Sequence, residues 1–278
     1  MTRYIATPSY TKEILEKYGL FAKKNYGQNF LIESGVVEKI ARAAVNKDQT
    51  VIEIGPGIGA LTQMLAIHAK EVKAFEIDDR LIPVLADTLS EYDNVEVINQ
   101  DFLMTDLETF TKEFDDVVIA ANLPYYITTP ILFKIFESKS KISAITVMMQ
   151  KEVADRFSAK VNTKDYNALS VVTQYRCNID YVMKVPKNVF NPKPNVDSAV
   201  LKFTFKNEHP VDDEPYFFEL IKGCFKQRRK TILNNLGDFL NDKDSAKQVL
   251  DQAGIKENIR AEALDLNSFI KLYEAIKC

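Results

Sequence analysis

The sequence is poor in the side chains that most often serve as catalytic bases and metal ligands. Its 278 residues include two histidines, His68 and His209, so we expect neither a histidine-centred triad nor a histidine-rich metal site. The three cysteines, Cys177, Cys224 and Cys278, are widely spaced and odd in number, which excludes a disulfide framework and a Cys-x-x-Cys zinc site. The chemistry must therefore come from backbone groups, amides, carboxylates, aromatic rings or a bound cofactor.

Long apolar runs and an excess of basic residues are also missing. No apolar run reaches the roughly 18 residues that a membrane-spanning helix needs, and residues 1–20 are polar and charged, unlike a signal peptide. Together with the few cysteines, this predicts a cytoplasmic protein with no membrane contact. The net charge is −3, so any surface for RNA or DNA must be a local basic patch.

What the sequence does contain is an alternation of short apolar strands and helical segments. The hydrophobic fraction of 46% is ample for the core of one large domain, or of a large and a small one. The predicted strands are 50–54, 71–77, 95–100, 116–121 and 142–149, and the helices among them are 34–45, 59–69, 79–90 and 129–137. This alternation of continuous apolar strands and helices predicts a parallel, doubly wound sheet.

The pattern changes in the second half of the chain. Two further strands, 179–185 and 199–205, are joined by a proline-rich loop without a helix, which favours an antiparallel pair. After the acidic, proline-containing break at 206–215 the chain is helical by period. We therefore predict an α/β fold with a mostly parallel seven-stranded sheet and a small all-helical C-terminal domain. The predicted parts are a helical N-terminal extension (1–24), the α/β domain (25–206) and the helical domain (207–278).

A glycine-rich turn and two acids mark a cofactor site. Gly55, Gly57 and Gly59 follow the first strand, Glu76 closes the second about twenty residues on, and Asp101 closes the third. A glycine turn or a strand-end acid alone would need no ligand to explain it. All three features, however, fall at strand C-termini, where open α/β sheets bind ligands. An acid at Glu76 can accept hydrogen bonds from a ribose diol, and Asp101 can hold an adenine amine.

The glycine spacing distinguishes between two cofactor classes. A dinucleotide-binding dehydrogenase has Gly-x-Gly-x-x-Gly, whereas this turn is Gly-x-Gly-x-Gly and is preceded by Glu53. That arrangement resembles the class I, Rossmann-like S-adenosylmethionine-dependent methyltransferases. An NAD enzyme is the weaker alternative, because it would need a hydride-transfer partner and neither histidine lies near a strand end.

The segment "ANLPYYITTP" after the fourth strand carries an unusual combination of amide, proline and aromatic side chains. The N6 amine of adenine is a poor nucleophile because its lone pair is delocalised into the ring. The side-chain oxygen of Asn122 and a backbone carbonyl held by Pro124 could accept hydrogen bonds from both N–H groups and favour a nucleophilic geometry. Tyr125 could stack on the base, which is worth about 1–3 kcal/mol. The adjacent Tyr126 is assigned no role beyond packing.

Seven segments together resemble the ribosomal RNA adenine N6,N6-dimethyltransferase family, in the order found in that family. They are "NYGQNFL" (25–31), "EIGPGIGALT" (53–62), "FEID" (75–78), "NQDFL" (99–103), "NLPYYITTP" (122–130), "VFNPKPNVDSAV" (189–200) and "FKQRRKTILNNL" (225–236). The resemblance implies S-adenosylmethionine as the cofactor and a role for each of two residue sets. The implied cofactor contacts are Asn29, Leu31, Gly55, Gly57, Glu76, Ile77, Asp101, Phe102 and Asn122. The implied catalytic set is Asn122, Leu123, Pro124, Tyr125 and Phe190, with Phe190 closing the face of the target base opposite Tyr125.

The same resemblance implies an RNA substrate. Leu123 and "QRRKTILNNL" are similar to the small-subunit branch, which dimethylates two adjacent adenines near the 3′ end of 16S rRNA within the 30S subunit. The expected RNA contacts are the basic residues Lys193, Lys222, Lys226, Arg228, Arg229 and Lys230, and nothing in the sequence demands a dimer, so we expect a monomer. Three alternatives stay open: a 23S rRNA methyltransferase of the erythromycin-resistance type, a non-catalytic assembly or transcription factor on the same fold, and a DNA adenine methyltransferase.

Overall fold

The computed structural model describes residues 3–20, 29–124, 127–208 and 210–277. Tyr125 and Tyr126 therefore lie outside the described residues. The chain forms two compact units, one made of Met1–Ala154 with Asp180–Phe205 and the other of Asp155–Ile179 with Lys206–Cys278. Within the described residues, no helix is long and apolar enough to cross a membrane.

The first unit contains most of the strands. Its helices are α1 (Pro8–Lys17), α2 (Ser34–Ala44), α3 (Ala60–His68), α4 (Ile82–Thr88), α5 (Leu107–Thr111) and α6 (Thr128–Glu137). Its strands are β1 (Phe30–Leu31), β2 (Thr50–Ile54), β3 (Glu71–Glu76), β4 (Val95–Asn99), β5 (Val117–Asn122), β6 (Ile142–Gln150), β8 (Phe190–Asn191) and β9 (Ser198–Phe205). Helix α7 (Lys151–Phe157) and strand β7 (Cys177–Val185) each extend across a boundary between the units.

The larger sheet has seven strands in the order β4-β3-β2-β5-β6-β9-β7. Strands β4, β3, β2, β5 and β6 run parallel to one another, and β9 is antiparallel to β6. The prediction of a mostly parallel seven-stranded sheet is confirmed, and the five strands predicted between residues 50 and 149 end within one residue of their expected positions. Because β3 and β5 lie on opposite sides of β2, the winding reverses at β2, and the C-terminal ends of these strands border one crevice.

Burial explains why these segments form strands and helices. All five residues of β2 are buried, as expected for a central parallel strand covered on both faces.

The segment that leads into α1 is also part of the first unit, because Ile5 is fully buried and its N–H donates to Gln63 Oε1 over 2.9 Å. The residues predicted as an N-terminal extension thus contribute to the same core as the sheet.

The second unit consists of helices around a separate core. Its helices are α8 (Ala168–Arg176), α9 (Glu214–Cys224), α10 (Ile232–Leu240), α11 (Lys243–Gln252) and α12 (Leu266–Lys277). The sequence pattern assigned residues 155–179 to the α/β domain, whereas the structure places them in this unit. The physical reason is that Tyr166, Val171 and Tyr175 are buried in the same core as Phe217 and Phe269.

Candidate cofactor and substrate site

A cavity of about 580 Å³ lies in the first unit at the C-terminal ends of β2, β3 and β5. Its volume is in the range of cofactor and small-ligand pockets. Apart from Tyr125, all predicted cofactor and catalytic residues line it. They are Asn29, Leu31, Gly55, Gly57, Glu76, Ile77, Asp101, Phe102, Asn122, Leu123, Pro124 and Phe190.

The turn between β2 and α3 requires glycine for its backbone shape. Gly57 and Gly59 have φ angles of 62° and 91°, in the left-handed region that other residues rarely adopt. A β-carbon on Gly57 would lie 3.5 Å from the Phe30 ring, and one on Gly59 would lie 3.1 Å from Thr88 Oγ1. Residues 55–58 of the turn line the cavity, and the turn leads into a helix whose first N–H groups have no side-chain cap.

Glu76, the last residue of β3, ties this turn to the sheet. Its carboxylate accepts hydrogen bonds from the backbone N–H of Gly57 over 3.3 Å and of Asp78 over 2.9 Å. The side chain is buried, and this burial raises the pKa of Glu76, while the two N–H donors oppose the shift. A carboxylate has about four acceptor positions, so two backbone donors leave capacity for the hydroxyl groups of a ligand.

Glu53 is a second buried acid in the wall of the cavity. It lies in β2 and is 1% exposed, and its Oε2 has no hydrogen-bond partner among the described residues. Burial raises the pKa of Glu53 to about 8, and the nearby charge of Glu76 acts in the same direction. Interaction with the Thr62 hydroxyl opposes the shift, although no hydrogen bond of good geometry joins the two groups. At neutral pH the Glu53 carboxyl therefore carries a proton most of the time.

Asp101 and two phenylalanines form another part of the wall. Asp101 Oδ1 accepts the backbone N–H of Leu103 over 2.9 Å and so begins a 3₁₀ turn, Phe102–Met104. The rings of Phe102 and Phe75 meet edge to face with their centroids 5.6 Å apart, and both are buried. Asp101 Oδ2 makes no hydrogen bond with any described residue. This region combines apolar aromatic surface with a carboxylate oxygen that can accept a hydrogen bond, which suits an adenine ring and its amine.

Asn122 ends β5 beside the cavity, where its side chain and the Leu123 carbonyl are two acceptors for a ligand. Its side chain makes no hydrogen bond with the part of the chain that the structure describes. The carbonyl of Pro124 accepts Ile127 N–H over 3.1 Å and Thr128 Oγ1–H over 3.3 Å, so it anchors the start of α6. The Leu123 carbonyl has no such partner among the described residues. The backbone acceptor predicted in this segment is therefore best assigned to Leu123.

A small second sheet brings Phe190 to the cavity. Strands β1 and β8 pair antiparallel, with Leu31 opposite Phe190, and Ile32 N–H donates to the Val189 carbonyl over 2.9 Å. Phe190 is 4% exposed. The loop that follows is held by Asp197, which accepts Lys187 N–H over 3.0 Å and pairs with Lys184 over 2.8 Å. Residues near position 30 and near position 190 thus form one wall.

The cavity also includes residues that the sequence did not single out as contacts. They are Phe30, Glu53, Ile54, Pro56, Ile58, Ala60, Leu61, Phe75, Asp78, Asp79, Arg80, Leu81, Gln100, Leu103, Ile127 and Ile131. Glu53 had a readable signal, because it is the one charged residue in the apolar strand "TVIEI". Most of the other members are apolar and look like ordinary core residues in the sequence. Asp78, Asp79, Arg80 and Gln100 are polar, but no pattern in the sequence marked them as contacts.

The predicted RNA contacts fall in both units. Lys193 is exposed in the loop between β8 and β9 of the first unit, and the other five lie in or after α9 in the second. Three of them form ion pairs: Lys222 with Glu219 over 2.8 Å, Arg228 with Glu262 over 3.4 Å and Lys230 with Asp238 over 3.1 Å. Lys226 and Arg229 are exposed and make no ion pair with any described residue.

Comparison with known proteins shows the family to which this chain belongs. A family model described as ribosomal RNA adenine dimethylase matches residues 19–277. Ribosomal RNA small subunit methyltransferase A of Geobacillus thermodenitrificans is 51% identical, over 99% of this chain and 98% of the relative.

Two solved structures are similar over most of their length. A dimethyladenosine transferase from Plasmodium falciparum has a TM-score of 0.76 at 29% identity, covering 89% of this chain and 98% of that one. The 23S rRNA methyltransferase ErmE has a TM-score of 0.72 at 28% identity, covering 90% of this chain and 100% of that one. With the family model matching nearly its whole length, this chain belongs to the ribosomal RNA adenine dimethylase family.

Proposed function

We propose that this protein transfers methyl groups from S-adenosylmethionine to the exocyclic N6 atoms of two adjacent adenines near the 3′ end of 16S rRNA. Membership of the family makes it an S-adenosylmethionine-dependent adenine dimethyltransferase of ribosomal RNA. The observation that carries the proposal is that Asn122 and Leu123 line the same cavity as Glu76 and Asp101. A methyl donor and a target amine can therefore meet in one space.

The cavity residues fit the cofactor part by part. S-adenosylmethionine supplies an electrophilic methyl group on its sulfonium. Glu76 would accept the ribose hydroxyls, with Ile77 beside it, and Asp101 would accept the adenine amine, with Phe102 against the ring. Asn29 and Leu31 would contact the methionine part, and Gly55 and Gly57 leave room for it because they carry no side chain.

Replacing Glu76 with glutamine tests the ribose assignment. Glutamine keeps the size of the side chain but removes the charge, and a hydrogen bond to a charged group is worth about 1.5–3 kcal/mol. The affinity for S-adenosylmethionine should fall roughly 10–100-fold in a calorimetric titration. Glu71→Gln, at the opposite end of β3, is the matched control and should bind as the wild type does. If the Glu76→Gln variant binds S-adenosylmethionine as tightly as the wild type does, Glu76 does not contact the cofactor as proposed.

Asn122 and Leu123 would activate the target amine. The Asn122 side-chain oxygen and the Leu123 carbonyl would accept its two N–H groups, and Phe190 would close one face of the base while Tyr125 stacks on the other. Methylation makes the amine cationic and acidic, so water can take the proton. The cavity-lining residues that the structure describes include no histidine, in keeping with catalysis by alignment and electrostatics.

The small ribosomal subunit is the proposed substrate particle. The relative that is 51% identical bears the name of a small-subunit enzyme, whereas the similar 23S rRNA enzyme is 28% identical. The proposed partner is therefore 16S rRNA within the 30S subunit. We also expect a monomer to suffice, because the cavity is lined by residues of one unit of one chain.

An acceptor panel tests the proposal. Purified protein and labelled S-adenosylmethionine are mixed with unmethylated small subunits, with large subunits or with duplex DNA, at low and at high magnesium. Label in the small-subunit RNA, recovered as N6,N6-dimethyladenosine, is the expected result. Label in 23S rRNA would favour the erythromycin-resistance alternative, label in duplex DNA a DNA methyltransferase, and no label in any acceptor a non-catalytic factor.

A further inference from the structure

Arg228 belongs to the basic run of the second unit, yet its guanidinium is engaged by the protein itself. Its Nη2 donates to the backbone carbonyl of Lys164, and its Nε donates to Glu262 Oε2 over 3.4 Å. Lys164 lies in the loop 158–167 between α7 and α8, and Arg228 in the loop 225–231 between α9 and α10. One side chain thus joins two loops that are far apart in sequence.

Each loop is separately held in shape. The loop 225–231 is held by the buried Asn235 of α10, which accepts Gln227 N–H over 3.2 Å and donates to the Gln227 carbonyl over 3.1 Å. In the loop 158–167, the buried Tyr166 donates its hydroxyl to the Leu264 carbonyl over 2.9 Å, and its ring meets Phe225 with centroids 6.0 Å apart. Arg228 therefore connects two ordered segments.

Glu262 supplies the other half of the connection. Its carboxylate bonds to Arg228 on one oxygen and lies 3.9 Å from Arg260 Nη1 on the other. Its backbone carbonyl accepts Asn162 N–H over 2.8 Å, which holds the loop 158–167 from a second side. The Glu262 side chain is 26% exposed, against 60% for Arg228. This acid is therefore turned toward the protein more than toward solvent.

The two loops carry exposed cations of their own. Lys160, Lys164, Lys226 and Arg229 are exposed and form no ion pair with any residue that the structure describes. We call these four residues the cationic platform. Phosphate oxygens bind such unpaired cations, and each such contact contributes to salt-dependent affinity.

We propose that the cationic platform contacts RNA phosphates, and that Arg228 with Glu262 positions it rather than being one of its phosphate contacts. This rests on the proposed function, since it names the surface that would hold the RNA. The inference adds Lys160 and Lys164 to the interface, which the basic run alone did not indicate. It also changes the role of Arg228 from a contact to a positioning residue.

The salt dependence of binding separates contacts from positioning residues. Full-length variants are titrated against unmethylated small subunits over a series of KCl concentrations at fixed magnesium. The plot of log affinity against log salt concentration has a negative slope. Lys164→Ala and Arg229→Ala should each reduce the magnitude of that slope by about one. Lys164→Ala leaves the connection intact, because Arg228 binds the backbone carbonyl at that position. Lys243→Ala, at the exposed first residue of α11, is the control and should leave the slope unchanged.

The test of Arg228 is whether the effects of Arg228→Ala and Lys164→Ala on the slope are additive. Arg228→Ala should reduce the magnitude of this slope by more than one, because the loop 158–167 loses one of its attachments, the bond from Arg228 to the Lys164 carbonyl. Adding Lys164→Ala should then have less than half its usual effect. If Arg228→Ala reduces the magnitude of the slope by about one, and this effect simply adds to that of Lys164→Ala, then Arg228 is an ordinary phosphate contact and the proposal is overturned. An unchanged slope for Lys164→Ala would overturn it as well.

For Glu262→Gln, simple electrostatics and the proposal predict opposite changes in RNA affinity. The substitution removes a negative charge from a basic region, so simple electrostatics predicts tighter RNA binding. If Glu262 holds Arg228 in place, binding becomes weaker instead, and tighter binding would overturn the proposal. Thermal unfolding of each variant checks that the fold persists. Should the wild type itself fail to bind or methylate small subunits, the proposed function fails, whereas wild-type binding without these variant effects rejects only the platform.

Discussion

Replacing Asn122 with alanine is expected to lower the rate of methyl transfer about 10²–10³-fold, the usual effect of removing one preorganised polar group from a reacting centre. The reason is that the Asn122 side chain and the Leu123 carbonyl are the two acceptors placed at the end of β5, and the variant leaves only one of them. With one N–H of the adenine amine unpaired, its lone pair stays delocalised into the ring. The measurement is single-turnover methylation of unmethylated small subunits with saturating enzyme and cofactor.

Binding measurements make this experiment specific to catalysis. The Asn122→Ala enzyme should still bind small subunits, and its affinity for S-adenosylmethionine should fall by less than tenfold, since the remaining contacts persist. Asn99→Ala is the matched control, because Asn99 is the last residue of β4 as Asn122 is of β5, but it is exposed and does not line the cavity. Turnover at the wild-type rate in the Asn122 variant would show that the catalytic assignment is wrong.

Replacing Glu53 with glutamine is expected to stabilise the protein at alkaline pH by several kcal/mol. In the unfolded chain Glu53 ionises near its ordinary pKa of 4.5, whereas burial raises its pKa in the folded protein to about 8. Between these two values unfolding releases a proton, so the free energy of unfolding falls as pH rises. A shift of this size lowers that free energy by roughly 3–5 kcal/mol above pH 8 relative to acid conditions.

Denaturant unfolding at a series of pH values measures this effect as the difference between variant and wild type. The difference should be small near pH 4.5, grow as pH rises and level off above pH 8. Glu91→Gln, an exposed glutamate between α4 and β4, is the control and should show no such rise. A difference between the Glu53 variant and the wild type that does not change with pH would mean that Glu53 is already ionised in the folded protein.

Four residues that line the cavity could be predicted well from the sequence, because each is marked by its position next to a strand end. Gly57, Glu76, Asp101 and Asn122 each follow or end a strand, and in a parallel sheet the C-terminal ends of the strands lie on the same edge. Recognising the strands was therefore enough to predict that these residues come together. The central strands β2 and β5 were readable because nearly all of their residues are buried and their sequences are largely apolar.

Other features depend on long-range packing that no local pattern encodes. The sequence of helix α8 does not say whether Val171 and Tyr175 face the sheet or the C-terminal helices. Phe190 reaches the cavity through the two-residue pairing of β1 and β8, which is too short to predict from alternation. Arg228 looked like a plain RNA contact because its partners, the Lys164 carbonyl and Glu262, are 64 and 34 residues away.

Mass spectrometry of ribosomal RNA nucleosides from cells that lack this protein tests the central claim most directly. We expect N6,N6-dimethyladenosine to be absent from their 16S rRNA, to return when the wild-type protein is supplied and to remain absent with the Asn122→Ala variant. Unchanged dimethyladenosine in 16S rRNA without the protein, or its loss from 23S rRNA instead, would contradict the account.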